Sequence, residues 1–263
     1  MFDVVNPGDA MLLAATAIAT LMSATWVVSL VLKNASIVDL VWGAGFVVVG
    51  WSVFLASDAH SAVGKVLLVG VSLWGVRLAG YLTWRNHGKG EDYRYVAMRR
   101  RWGSRFPIVS LFTVFVLQGT IMWIVSLPLQ IGISDTNASL GALAYIGVVV
   151  WLLGITFEAV GDAQLARFKA DPANEGKVMN RGLWKYSRHP NYFGDACVWW
   201  GLALVACSAQ DGVWSLIGAA VMTLFLRRIS GVTLLEKSLV KRREGYDDYI
   251  RTTSPFVPRP PKR

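Results

Sequence analysis

Charge, cysteine and histidine are all scarce in this chain. Asp, Glu, Lys and Arg make up 16% of the 263 residues against 54% hydrophobic, a balance that excludes an ordinary soluble globule. The two cysteines, Cys197 and Cys207, share one apolar segment; ten residues of helix is about 15 Å, beyond disulfide reach. A disulfide framework and a thiolate metal site are thereby excluded. No two of the three histidines stand at metal-ligand spacing, so no metal is expected. There is no Gly-x-Gly-x-x-Gly after a strand and no Walker motif, so a dinucleotide could not be held in the Rossmann manner. The absence of period-two alternation excludes a β-barrel. The absence of a repeat at fixed period leaves a solenoid or duplicated transporter without support. The amino terminus carries Asp3 and Asp9 and no Lys or Arg. It lacks the positive region of a cleaved signal peptide, and the first apolar run is expected to remain in the mature protein.

What is present is a series of long apolar runs. A bilayer needs about 20 apolar residues per spanning helix, and seven candidates can be drawn, at 10–32, 37–57, 61–84, 106–131, 140–161, 191–208 and 211–229. The cations test this count independently, since cytoplasmic loops attract Lys and Arg. Lys33, seven basic residues in 85–105, six in 166–188 and ten from Arg227 onward account for 24 of the 26. Lys65 and Arg77 lie within the third run. The opposite side, with Asp3, Asp9, Asp58, Asp135 and Asp211, has none. The fold class is therefore all-α: a polytopic membrane protein of seven transmembrane helices, amino terminus outside and carboxyl terminus cytoplasmic, in one domain over 1–263. The net charge of +9 is spread over loops between spans, which argues against a nucleic-acid binder. In 230–251, Leu234, Leu235, Leu239 and Tyr246 mix with Glu236, Lys237, Lys241, Arg242 and Arg243. That mixture predicts an amphipathic helix on the membrane face, ended by Pro255, Pro258, Pro260 and Pro261.

An ionisable group inside a span marks a functional site or an internal pair. Asp39 and Arg77 are the clearest; mutual neutralisation, or snorkelling of Arg77, is the structural alternative. Lys65 is near enough to the outer end of its span to snorkel. Gln118, in mid-span, serves either a function or an interhelical hydrogen bond. Glu158 and Asp162, at i and i+4, share one helical face with Arg167 and Lys169 close behind. They form either an interfacial anchor or a polar rim for a ligand. Asp195 has the same ambiguity.

The densest constellation is Gly182-Leu183-Trp184-Lys185-Tyr186-Ser187-Arg188-His189-Pro190-Asn191-Tyr192-Phe193-Gly194-Asp195. Pro190 is placed to start a helix, whose free N–H groups suit an anion. An interfacial belt of aromatic and basic residues needs neither His189-Pro190-Asn191 nor Gly194.

This segment, with Asp162 upstream and Tyr246-x-x-Tyr249, Thr252, Phe256 and Pro258 downstream, resembles the steroid 5-alpha-reductase family, in particular its bacterial branch long known as a domain of unknown function. Ser36-Ile37-Val38-Asp39-Leu40-Val41-Trp42-Gly43 and Asp92-Tyr93-Arg94-Tyr95 also match that branch. The resemblance implies a seven-helix enzyme of the bacterial inner membrane that takes NADPH from the cytoplasm and a 3-oxo-4-ene steroid or similar enone lipid from the bilayer. Hydride passes to the β-carbon of the enone while an acid polarises the ketone. The implied cofactor residues are Asp162, Lys169 (Arg in relatives), Trp184, Asn191, Asp195 and Tyr249. Arg188, His189 and Tyr246 belong to the same motifs, and Arg77 and Gln118 match polar positions of the steroid reductases. Asp39 falls where animal relatives carry the glutamate that bonds the ketone, and a carboxyl buried in an apolar span can stay protonated for that task. Trp74, which cannot protonate a carbonyl, stands where those relatives carry an assisting tyrosine. The rival reading is an S-adenosylmethionine-dependent methyltransferase of a prenylated or lipid substrate, a family that shares the Arg-His-Pro-x-Tyr core; it has a glutamate pair where this chain has Glu236-Lys237, and no counterpart of the Asp39 motif.

Overall fold

A computed structural model describes residues 6–229, 232, 236, 239–240, 243 and 245–262. Described residues are helical or irregular, and the β pairing among them is an isolated parallel bridge between Ser187 and Ser254. The helices are α1 (Pro7–Val31), α2 (Ile37–Leu55), α3 (Ala62–Asn86), α4 (Tyr93–Trp102), α5 (Phe106–Ser110), α6 (Leu117–Val125), α7 (Leu127–Ser134), α8 (Ala142–Ala170), α9 (Pro190–Ala206), α10 (Ser215–Leu224) and α11 (Tyr246–Thr252). A π-helical stretch, Leu111–Val116, joins α5 to α6.

Among the described residues, six helical runs are long and apolar enough to cross a membrane: Pro7–Val31, Ile37–Leu55, Ala62–Asn86, Tyr93–Val125, Ala142–Ala170 and Gly212–Ile229. They coincide with six of the seven expected spans, and the chain is an integral membrane protein. Over the remaining expected span lies α9, of seventeen residues. Starts are set by local chemistry. Pro7 occupies the first turn of α1, and Asn6 caps it by accepting from Asp9 N–H at 3.1 Å; Ser61 Oγ accepts from Gly64 N–H at 3.0 Å at the start of α3.

The fourth run ends earlier than hydropathy suggests. Its helix stops at Val125 rather than 131, because Pro128 has no N–H to continue the ladder. Gln130 repairs the break, donating from Nε2 to the Trp123 carbonyl and to Ser126 Oγ, both at 2.7 Å. A freed backbone carbonyl at membrane depth needs such a partner. The short α7 that follows is buried along its whole length.

Two compact units divide the chain: Met1–Tyr145 with Leu202–Gly218, and Ile146–Gly201 with Ala219–Arg263. In the first, α2 and α3 touch backbone to backbone: a Cβ on Gly43 would lie 2.7 Å from the Gly75 carbonyl oxygen, and one on Gly75 2.6 Å from that of Gly43. In the second, Gly154 of α8 and Gly194 of α9 meet likewise, with added Cβ atoms 2.7 and 2.6 Å from each other's carbonyl oxygens. Small residues permit close helix approach in a membrane, where no hydrophobic force drives helices together.

Expected helix 230–251 falls partly on Leu234, Leu235, Lys237, Lys241 and Arg242, which lie outside the described residues, as does Asp3. Described positions confirm helix at Tyr246–Thr252 and irregular chain over the prolines that follow. Lys65, in the first turn of α3, is exposed.

Gly194→Leu should force α8 and α9 apart and destabilise the protein by about 3 kcal/mol or more. The check is a fall in melting temperature and in the monodisperse yield of solubilised protein; a normal yield and melting temperature would show that the contact is dispensable.

Candidate functional site

The expected site residues fall into two constellations, one in each unit. In the first unit, Asp39 occupies the third position of α2. Arg94 Nη2 donates to its Oδ2 at 3.0 Å and Tyr95 Oη to its Oδ1 at 3.1 Å. Both carboxylate oxygens therefore act as acceptors. Gln118 Nε2 lies 3.5 Å from Tyr95 Oη, so Asp39, Tyr95 and Gln118 form one chain of polar groups. Asp39 meets its cation from the first turn of α4, where the fourth helical run begins. Arg77 is half-buried in the middle of α3.

A clamp between two loops delivers Arg94 and Tyr95. Glu91 accepts from Ala35 N–H at 2.8 Å and from Arg99 Nε and Nη2 at 3.1 and 2.8 Å. Ser36 Oγ accepts from Asp92 N–H at 2.6 Å. Asp92 then caps α4 through Arg94 N–H. Burial works to raise the Glu91 carboxyl, but the bonds from Arg99 and Ala35 outweigh it, and its pKa lies below the ordinary range.

In the second unit the polar motif and the tail are bonded together. Arg188, 6% exposed, donates from Nε and Nη2 to the two oxygens of Glu236 at 2.6 and 3.1 Å. Its Nη1 reaches the carbonyls of Ile250, at 3.0 Å, and Thr253. His189 Nε2 lies 3.2 Å from Glu236 Oε1. Ser187 Oγ donates to the Phe256 carbonyl and accepts from His189 N–H. The Tyr249 hydroxyl donates to the Trp184 carbonyl, and the buried indole of Trp184 donates to the Gly161 carbonyl at 3.0 Å. Tyr246 packs edge-on against Tyr249. Burial pushes both phenols up, helped for Tyr246 by the Glu236 charge and for Tyr249 by Tyr246, so both stay protonated at neutral pH.

Asn191, at the start of α9, donates from Nδ2 to Asp162 Oδ1 at 3.2 Å. Its Oδ1 is buried with no hydrogen-bond partner among the described residues. A buried acceptor left open is costly unless something fills it. Asp162 is 5% exposed; Asp195 is half-buried and Lys169 exposed. No group of three His, Cys, Asp or Glu that could hold a metal occurs among the described residues.

Residues 25–253 match the family described as "Protein of unknown function (DUF1295)". The chain belongs to this family. The matched stretch contains every candidate residue from Asp39 to Tyr249. An uncharacterized protein of Schizosaccharomyces pombe is 23% identical over 261 residues, 89% of this chain and 75% of that protein. Mouse 3-oxo-5-alpha-steroid 4-dehydrogenase 1 is 29% identical over 113 residues, and its rat counterpart 24% over 112; each alignment covers 43% of this chain and 40% of the enzyme. The DUF1295 chain thus spans about two fifths of the length of these rodent enzymes. No solved structure matches.

Sequence reasoning alone missed two members of these constellations. Tyr95 sits in a quoted motif, but nothing in the spacing says that it faces Asp39. Glu236 reads as one more charge on an amphipathic tail, whereas the structure sets it, 16% exposed, against the buried Arg188. The signal available was the carboxylate's place among apolar neighbours, Leu234 and Leu235 before it and Leu239 after it.

Burial works to raise the Glu236 carboxyl, but its bonds from His189 and Arg188 outweigh this, and its pKa lies below the ordinary range. The stability it confers is present above the unfolded-state pKa, about 4.3, and is lost as pH falls through the lower folded value. Glu236→Ala, which leaves the buried guanidinium without its carboxylate, should cost about 3 kcal/mol, and Glu236→Gln should flatten the acid limb of a melting-temperature profile. An unchanged acid limb in Glu236→Gln would remove the pair from that role.

Proposed function

We propose that this chain is an NADPH-dependent reductase of the carbon–carbon double bond in a 3-oxo-4-ene steroid or similar enone lipid drawn from the bilayer. The observation that carries the reading is the hydroxyl–carboxylate pair of Tyr95 and Asp39, backed by Gln118, in a membrane chain distantly similar to 3-oxo-5-alpha-steroid 4-dehydrogenase 1. In this reading residues 1–263 form one domain, α9 is the seventh span, the amino terminus is outside, and the cofactor faces the cytoplasm across a bacterial inner membrane. The 24 cations other than Lys65 and Arg77, in the loops, at one set of span ends and in the tail, support that orientation.

The residues of the second unit fit the cofactor. The open acceptor Asn191 Oδ1 and the carboxylate of Asp162 suit a carboxamide or ribose hydroxyls. Lys169, exposed at the end of α8, suits a phosphate, and Asp195 completes the polar set. Trp184, Arg188, His189, Tyr246 and Tyr249 hold the frame in which Asn191 stands. Bound there, the nicotinamide would supply a hydride. The chain's own part is at the ketone: the Tyr95 hydroxyl turns from Asp39 to the ketone oxygen, stabilises the negative charge developing there and gives its proton to the enolate, the phenol being reprotonated from the cytoplasmic solvent. Asp39 orients that hydroxyl, and Gln118 fixes the phenol from the other side. Apolar helices keep water from the reacting carbons.

In detergent-solubilised protein, NADPH should raise the melting temperature by several degrees, and Asn191→Ala should abolish the shift. Asp39→Ala and Tyr95→Phe should keep the shift but slow enone reduction by about 100-fold or more. Stabilisation by S-adenosylmethionine alone would overturn the reading in favour of a methyltransferase, and full turnover in Asp39→Ala would remove that residue from the mechanism.

A further inference from the structure

The α2–α3 pair carries a feature that enone reduction does not use. A groove of about 840 Å³ runs along it, lined by Ala44, Val48, Val76, Gly80, Trp84 and His87 among others. Its volume falls in the range of roughly 300–1,000 Å³ typical of small-molecule sites. Both helices are long and apolar enough to span a membrane, so the groove opens to lipid.

The groove is not a packing fault. The two helices are in backbone contact at Gly43 and Gly75, yet a Cβ added at Gly80, one turn further on, would meet nothing within 4 Å. Small side chains at Ala44, Ala79 and Gly80 make the furrow, and Val48, Val76 and Trp84 stand at its edges. From Val76 to His87 is eleven residues, about 16 Å of helix. That is close to half of the roughly 30 Å hydrocarbon core, one leaflet.

Polarity changes along that length. Valine and alanine line one end, while Thr83, Trp84 and His87 line the other. Arg85 and Lys89 flank His87 at the end of α3. An indole and cations at one end, with apolar lining a leaflet deep behind them, is the pattern of a headgroup-level anchor. The carboxylates that follow in the chain are already engaged by arginines of α4: Glu91 by Arg99 at 2.8 Å and Asp92 by Arg94 at 2.9 Å. Arg85 itself donates from Nε to Asn86 Oδ1 at 3.3 Å and lies over the Tyr81 ring, neutral partners that leave its positive charge for an outside anion. By contrast, a smaller apolar furrow of about 320 Å³ between α1 and the π-helical run has no Lys, Arg or His in its lining.

We propose that the α2–α3 groove binds one anionic phospholipid, its acyl chain along Ala44, Val48 and Gly80 and its phosphate at Arg85, His87 and Lys89. This site is independent of the reductase reading and would stand if that reading failed.

The test compares phosphatidylglycerol with phosphatidylcholine, each added in mixed micelles to the solubilised full chain. Phosphatidylglycerol should raise the melting temperature by several degrees more than phosphatidylcholine. Gly80→Phe, whose Cβ has open space around it and whose ring would occupy the furrow, should abolish that excess while leaving the lipid-free melting temperature within about 2 °C; Val76→Trp serves if Gly80→Phe fails to fold. Arg85→Gln with Lys89→Gln should make the two lipids equivalent. Equal shifts by both lipids in the native chain would overturn the proposal. So would an undiminished phosphatidylglycerol shift in the groove-filling variant, or a shift lost in that variant for a neutral enone steroid and not for phosphatidylglycerol.

Discussion

A polar group taken out of water must be met from within the chain, and at membrane depth no solvent stands by to relieve a failure. Arg188 shows how far that requirement reaches. Its guanidinium sits in a stretch with no regular structure, between the short 3₁₀ turn at Gly182–Lys185 and the start of α9. Left alone there it would be prohibitively costly. Glu236 neutralises it in bidentate fashion, and the carbonyls of Ile250 and Thr253 take the remaining face. The tail is thereby tied to the polar motif, and the bonds from Ser187 and Arg188 to the carbonyls of Phe256 and Ser254 run along the same seam. The irregular segment is held to the tail because its charge is satisfied by residues far away in sequence.

The first unit meets the same requirement by other means. Asp39 is introduced at the beginning of an apolar helix, where one turn of displacement would bury it without a partner. The Glu91 clamp on Ala35 and the Ser36 bond to Asp92 fix the loop before α2 to the loop before α4. Arg94 and Tyr95 follow within three residues and arrive at the two oxygens of Asp39. An ion pair that is half exposed contributes little to stability by itself. Its value is in geometry, because it leaves a phenolic hydroxyl held at a known place between a carboxylate and an amide.

Hydropathy and turn chemistry are local properties, and they account for what the sequence alone makes legible. The places of six spans, the exposed Lys65, the start of α9 at Pro190 and the irregular chain after Ser254 follow from composition, although the fourth helical run begins at Tyr93 rather than 106 and the fifth continues to Ala170 rather than 161. The end of the fourth span was legible as well, in Pro128, but the apolar run continues past it and hydropathy outweighs one residue. Pairings are another matter. Arg188 and Glu236 are 48 residues apart, and Asp39 lies 55 and 56 from Arg94 and Tyr95. No periodicity links such positions. A charged residue in an amphipathic segment looks alike whether it faces water or a buried arginine, which is why Glu236 reads as surface.

The motif at 182–195 joins two kinds of residue that a sequence pattern cannot tell apart. Arg188 spends its donors on Glu236 and two carbonyls, the single hydroxyl proton of Tyr249 goes to the Trp184 carbonyl, and the indole N–H of Trp184 goes to Gly161. These groups have committed their donors to the fold. Asn191 differs, because it gives its amide N–H to Asp162 and keeps a buried oxygen open. Substituting a frame residue changes folding and binding together, so a lost activity there says little about what touches a ligand. Asn191 is the position where the two effects separate, since its truncation breaks one modest bond to Asp162 while removing the open acceptor outright. Within this motif, spare hydrogen-bonding capacity therefore identifies the contact residue better than membership of the pattern does.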